Sequence, residues 1–420
     1  MTRLSHIVHR VVGLVLVLLM LSCPSVADNV APAHPSMVER IDWAAEYLHR
    51  AVTPAGRFVY RRDLYSEVET QHRYNFLRHA GTVYAMAEYH SLRGKYLDTA
   101  TLLRAVDYLV ECCVAPVCGQ PKLLALWSLP ELTGSRRPFR QAKLGGTGLA
   151  LAALVQVEFL LPGTTEPRVL RQLAEFLLFM QKADGSFFAK FIPSQGGRDE
   201  SWVSLYYPGE AALGLIMLYE LDGDHRWLIA AMDGLRYLAR VREGQQDVPA
   251  DHWALLATAR LFRQDSAVLQ RASPAGITWN QPQGASIKRA LLAHVEVVVE
   301  KMLAEQVRDD RLACRIGGFN PDGRVAPTAT RLEGLLAAWS ILPEGPLRQR
   351  VRQAVDAGSN FLTAAQVDAG PYRGAFTRYH PQCASPEPRA DEIRIDYVQH
   401  ALAAMLAYAA LFGGNGKESF

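Results

Sequence analysis

A chain of 420 residues is too long for one small core, and length alone suggests two or three domains unless a repeat architecture extends a single core around a ring. With 49% apolar and 21% charged residues it has ample material for a packed interior and is unlike a disordered or collagenous sequence. Lys and Arg total 45 against 42 Asp and Glu, so a net charge of +3 excludes a whole-protein field able to hold nucleic acid, and any polyanion site must be local.

Residues 1–27 read as a secretory signal. Arg3 and Arg10 lie in a basic start, residues 11–21 are unbroken apolar or Gly, and Ser25 and Ala27 supply small residues before the expected cleavage point. The apolar run is too short to span a bilayer. Membrane attachment is therefore expected only through an uncleaved signal or through lipidation of Cys23, where Ser22 fits a lipobox but Met20 and Leu21 fit it poorly. The protein is expected to be exported, periplasmic or extracellular, and no later segment approaches roughly 18 uninterrupted apolar residues. Residues 28–35 form a short extension, 36–412 one domain and 413–420 a tail. Of the remaining cysteines, Cys112 or Cys113 can close on Cys118, and Cys314 can meet Cys383 if their repeats are neighbours.

Along the domain, amphipathic helices are expected at about 37–52, 97–112, 168–180, 225–242, 287–306 and 346–366. In the third, Val169, Leu173, Phe176, Leu177 and Met180 share a face while Arg168, Arg171, Gln172 and Glu175 take the other. Each is followed by a small-residue-rich apolar helix introduced by a polar or glycine-containing phrase. These begin near Arg78-His79-Ala80-Gly81, Gly145-Gly146-Thr147-Gly148, Tyr207-Pro208-Gly209-Glu210, Asp251-His252-Trp253, Thr330-Arg331-Leu332-Glu333 and Asp396-Tyr397-Val398-Gln399-His400. Residues 211–219 and 401–411 are apolar almost all round, as in a helix covered on both faces. The outer helices share an ending, Gln181-Lys182-Ala183-Asp184-Gly185-Ser186-Phe187, echoed at residues 53–58, 366–372 and 317–319, where each Gly permits a left-handed turn and the aromatic packs back.

Six outer-loop-inner hairpins of roughly 65 residues account for residues 36–412 without a second domain. The chain resembles the α/α-toroid proteins, an all-α (α/α)6 architecture of two concentric helical rings. The Gln181-x-x-Asp184-Gly185-Ser186-Phe187 phrase is similar to the repeat of terpene-cyclase-like barrels, and the layout resembles the six-hairpin glycosidases, sugar epimerases and toroidal polysaccharide lyases. The resemblance is architectural and carries over no catalytic residues. It implies a substrate site at the mouth formed by the outer-to-inner loops, with short β-hairpins or loops around it.

Residues placed at that mouth are Arg73, Tyr74, Asn75, Arg78 and His79 before the first inner helix, Lys143 before the second, Arg198, Tyr207 and Glu210 at the third, Asp251, His252 and Trp253 at the fourth, Arg331 and Glu333 at the fifth, and Arg394, Asp396, Tyr397 and His400 at the sixth. Helix N-termini and cations together favour an acidic glycan or another anionic ligand, unless the arginines pair with Glu210, Asp251, Glu333 and Asp396 in a network that ties the ring. Glu210, Asp251 and Asp396, with His252 and His79, are the catalytic candidates. Paired carboxylates suit hydrolysis of an acidic poly- or oligosaccharide, and Tyr, His and Arg suit a lyase or epimerase. A non-catalytic envelope protein that binds a glycan or peptide is the third reading. No cofactor is implied, and His79, His252 and His400 lack the close spacing of a zinc motif, so no metal is expected.

Overall fold

The computed structural model describes residues 35–65, 73–94, 96–281, 286–309, 311–383 and 385–413. The expected signal, nearly all of the extension and all but the first residue of the tail lie outside them. Among the described residues, twelve helices of ten or more residues pair as α1 (Met37–Arg50) with α2 (Phe76–Arg93), α3 (Thr99–Cys113) with α4 (Leu144–Leu160), α5 (Pro167–Phe179) with α6 (Tyr207–Asp222), α7 (His225–Arg242) with α8 (His252–Leu261), α9 (Ile287–Ala304) with α10 (Val325–Trp339), and α11 (Pro346–Ala365) with α12 (Ile395–Phe412).

The odd-numbered helices form the outer ring because each has one apolar stripe. In α5, Leu170, Leu173, Ala174, Phe176 and Leu177 are buried and the intervening charges face outward. Their starts are set by ordinary signals: Asp98 and Asp224 cap α3 and α7, and Pro167 and Pro346 open α5 and α11. The even-numbered helices pack successively, and α12 returns to α2 to close the inner ring. Close approach selects small residues. A Cβ on Gly148 of α4 would meet the Glu210 carbonyl of α6 at 2.7 Å, and one on Gly214 of α6 would meet the Gly148 carbonyl at 2.5 Å. Helix α12 is long and apolar enough to cross a membrane by length and composition, but it is mostly buried within the ring.

The repeated ending of the outer helices is a tie between neighbours. Gly56, Gly185, Gly317 and Gly374 have φ between +82° and +94°. In each, an added Cβ would collide with a carbonyl of the next outer helix: Arg104, Asp233, Ala357 and Trp43 respectively. Gln181, Gln306 and Gln366 each donate from Nε2 at 2.8 Å to the carbonyl three residues earlier in that neighbour, Ala230, Ala354 and Arg40. In the sixth hairpin the matching pair is Gly374 and Phe376, not Gly370 and Tyr372 as the sequence phrase suggested. Phe376 bridges to Gln366 as Phe187 does to Gln181, because the turn there is longer. Asp184 is spent on Ser186, accepting from its amide and hydroxyl.

The outer-to-inner loops carry the β-structure. β1 (Arg61–Asp63) pairs antiparallel with β7 (Glu392–Arg394), joining the first and last loops. β2 (Val114–Val117), β3 (Gln120–Ser128), β4 (Gln141–Lys143), β5 (Lys190–Ile192) and β6 (Gly197–Asp199) form one antiparallel sheet in that order, joining the second and third loops. The expected disulfide Cys314–Cys383 is formed and ties the fifth loop to the sixth. Cys112, Cys113 and Cys118 are free thiols, so the alternative closure across residues 114–117 is not made; that segment is β2, paired with β3.

Candidate active site

Two cation-lined cavities occupy the mouth. The first, about 430 Å³, lies where the first and second loops meet and is lined by Tyr60, Arg61, Arg73, Tyr74, Asn75, Arg78, Arg136, Arg137, Gln141 and Lys143 among others, with no acidic residue in its lining among the described residues. Arg61 and Arg78 turn to Glu392 and Asp396. Arg73, Arg136, Arg137 and Lys143 have no carboxylate partner among the described residues. Burial lowers the Lys143 pKa, reinforced by Lys190, Arg78 and Arg137, against the attraction of Glu210. An anion entering here would relieve that mutual repulsion.

The second cavity, about 330 Å³, belongs to the fifth and sixth loops and is lined by Arg324, Arg331, Arg378, Arg389, Arg394, Asp396, Tyr397 and His400 among others. Here the cations are largely compensated. Arg331 pairs with Glu305 at 2.8 Å, Arg389 with Glu392, and Arg394 with Asp396. Asp396 also receives Arg78 at 3.0 Å, so although burial opposes ionisation, Arg78 and Arg394 hold its pKa below the ordinary value. Tyr397 donates to Glu392 at 3.1 Å beneath the Arg394 guanidinium. Asp396 is thus an ionised strut between α2 and α12, not a proton donor.

Glu210 is different. It lies in the first turn of α6, is 3% exposed, and its Oε2 has no hydrogen-bond partner. The carboxylate occupies space beside Gly145 of α4, where an added Cβ would collide with Oε2 and with the Tyr207 ring. Burial, then Asp251, raise its pKa well above the ordinary glutamate value, with Lys143 opposing. Glu210 does not itself line the first cavity and is linked to it through Lys143; a raised carboxyl pKa favours retention of the proton, as a general acid requires.

His252, Glu333 and His400 come together from α8, α10 and α12, each offering a ligand atom within 4.8 Å of the others. Nδ1 of His400 lies 2.7 Å from Oε1 of Glu333. Both ring nitrogens of His252 are buried without a partner. Burial, then His400 and Arg331, lower the His252 pKa well below its ordinary value, so the ring is neutral. Burial raises the Glu333 pKa, with His400 acting against it. Trp253 packs behind this group, its ring 4.8 Å from His252 and 6.1 Å from His400, and is 4% exposed, so it is a wall and not a sugar-stacking face.

Other expected residues are held in structural roles. His79 is fully buried between α2 and α3; its Nε2 donates to the Ala105 carbonyl at 2.8 Å and its Nδ1 accepts from Tyr74 at 2.7 Å. Both nitrogens are used, so His79 is a packing residue and not a catalytic base, and Tyr74 serves it with only an edge at the first cavity. Asn75 caps α2. Asp251, expected as a catalytic carboxylate, is fully buried: Oδ1 accepts from the Ala254 amide at 3.1 Å and Oδ2 from Arg242 at 2.8 Å. It caps α8 and ties it to α7. Arg198 lies on β6 over Phe179 and Phe188.

Several mouth residues escape a reading that stops at the inner-helix starts. Arg136 and Arg137 follow the one-turn helix Pro130–Thr133 after β3, and the Ser135-Arg136-Arg137-Pro138 run is the signal that marks them. Trp202 is 42% exposed, with Lys190 4.1 Å above its ring and Tyr207 edge-on at 5.4 Å, giving the mouth an open aromatic face.

No protein-family model matches the chain, and no curated protein matches it. Solved structures share its fold. An α-1,6-mannanase, GH76A of Salegentibacter sp., superposes with a TM-score of 0.58 at 12% identity, covering 90% of this chain and 100% of that one. An inactive variant of it, with two aspartates replaced, was solved with α-1,6-mannotetrose. A GH76 α-mannanase of Bacteroides thetaiotaomicron gives 0.56 at 10% identity, covering 91% and 98%. Endoglucanase CelQ of Clostridium thermocellum, in complex with cellobiose and cellotriose, gives 0.52 at 15% identity, covering 91% and 72%. These are toroidal glycosidases, and the chain shares their α/α-toroid architecture.

Proposed function

We propose that this protein is an exported carbohydrate-active enzyme that hydrolyses an acidic oligo- or polysaccharide at the mouth of the ring. The observation that carries the proposal is the first cavity, where Arg73, Arg136, Arg137 and Lys143 have no carboxylate partner among the described residues and Lys143 is linked electrostatically to the buried carboxyl of Glu210, whose pKa burial raises. Guanidinium and ammonium groups suit the carboxylates or sulfates of such a glycan. Trp202 offers a ring face for a sugar. Toroids of this architecture that hold mannotetrose or cellotriose support an oligosaccharide as ligand. The Cys314–Cys383 disulfide fits a protein made for an oxidising compartment, as the signal-like residues 1–27 suggest.

In the proposed reaction Glu210 donates its proton to the departing glycosidic oxygen. Activation of the attacking water falls to the group formed by His252, Glu333 and His400. Asp396 and Arg78 keep α2 and α12 in register beneath the substrate. A second reading, elimination on a uronate, is supported by the unpartnered nitrogens of the His252 ring, which are free to accept a proton although burial weakens them as a base. Digestion of uronate and sulfated oligosaccharides separates the two. New reducing ends without ultraviolet-absorbing unsaturated ends support hydrolysis, and unsaturated ends assign a lyase. Glu210→Gln should lower turnover roughly 10²–10⁴-fold; unchanged turnover would remove Glu210 from the chemistry.

A further inference from the structure

We infer that His252, Glu333 and His400 form a binding site for a divalent cation of the zinc class. Three consecutive inner helices supply one donor each, and the donor atoms lie within 4.8 Å of one another. Two imidazoles and one carboxylate are a donor set that zinc accepts with a further position left open. Tetrahedral ligands at zinc bond lengths stand roughly 3.4 Å apart, so small rotamer shifts bring these atoms to coordinating distance.

The second observation is His252 itself. It is 4% exposed, yet both ring nitrogens lack a partner. Leaving a buried polar group unpaired costs about 1–3 kcal/mol, and such an orphan calls for a missing water or ion. Gly334 of α10 brings its backbone against His252, where an added Cβ would stand 3.1 Å from the His252 Cα and Cβ. The Glu333–His400 contact at 2.7 Å shows that these two side chains already turn toward one another. Arg331, a cation whose charge reaches His252, is held by Glu305. His400 also lines the second cavity, so an open coordination position is reachable from the mouth by water, a sugar hydroxyl or a carboxylate.

This inference deepens the water-activating role given to the same three residues, but it is read without any sugar, so either can fail alone. Chelator-stripped full-length protein is titrated with Zn²⁺ against a chromophoric indicator and, separately, with Co²⁺ while visible absorption is recorded. One equivalent per chain is expected, with cobalt bands of a low-coordinate site. His252→Ala and Glu333→Gln, with parental circular dichroism, should bind at least tenfold more weakly. His49→Gln, altering the separate His49–His90 pair, should bind as the parent does. If His252→Ala does not fold, His400→Gln, on a more exposed residue, decides. Absence of stoichiometric binding, as when water alone satisfies His252, or equal affinity in the His252 or His400 variant, overturns the site.

Discussion

Asp251→Asn separates a structural carboxylate from a catalytic one. Asparagine keeps an acceptor for the Ala254 amide and remains a good cap, so the change removes only the charge facing Arg242. The Arg242 side chain is 6% exposed and also contacts the Leu205 carbonyl and His294, neither of which neutralises it. Breaking one side of a buried ion pair costs about 3–5 kcal/mol, a large share of the roughly 5–15 kcal/mol that holds a domain together. At about 2 cal/mol/K per residue of unfolding entropy, a domain of this size should lose on the order of 5 °C in melting temperature. Arg242→Met combined with Asp251→Asn should recover most of the loss, because replacing both partners is often near neutral. Urea and thermal unfolding give the stabilities, and turnover per folded molecule gives the function. Asp251→Asn within 1 kcal/mol of the parent, or full stability with lost turnover, would refute the structural assignment.

Three further outcomes follow from the same geometry. Burial, opposed by the Ala105 hydrogen bond, pushes the His79 pKa down to about 4; its stabilising effect is therefore complete above about pH 6.5 and lost as pH falls through 4, about 3 kcal/mol in all, and His79→Leu should flatten that part of the urea-stability profile. Glu210 has the opposite sign. Its raised pKa contributes stability below the ordinary glutamate value that is lost as pH rises through the folded value, so Glu210→Gln should be less destabilised by alkaline pH than the parent. Cys314→Ser with Cys383→Ser opens a loop spanning 69 residues and should cost about 2–4 kcal/mol in urea unfolding under oxidising conditions, with no difference from the parent once both are reduced.

The ring itself was legible because both periodicities are strong. The stripe of α5 and the all-round apolar α6 state their layers directly, and the expected outer helices fall within two residues of those observed. Chemistry was harder to read, since one residue type serves two purposes. Asp251 before an apolar helix has the same appearance whether it caps or catalyses, and only Arg242 from the preceding helix decides. His79 sits one position beyond Arg78 on α2, which turns the imidazole toward α3 while Arg78 reaches the mouth. Glu333 and His400 are 67 residues apart in the chain, and no local spacing announces their contact. Arg136 and Arg137 lie in the irregular segment between a one-turn helix, Pro130–Thr133, and β4, whose place at the mouth depends on the pairing of β3 with β4, a long-range property.

The affinity of the Glu210→Gln protein for a uronic-acid tetrasaccharide, compared by calorimetry with the same tetrasaccharide after its carboxylates are reduced to alcohols, tests whether the mouth is built for anions. One charge-assisted hydrogen bond contributes about 1.5–3 kcal/mol, so the acidic sugar should bind at least tenfold more tightly, and Lys143→Gln or Arg137→Gln should narrow the gap. Equal affinity for the two sugars, or a gap unchanged in both cation variants, would contradict the assignment of the first cavity.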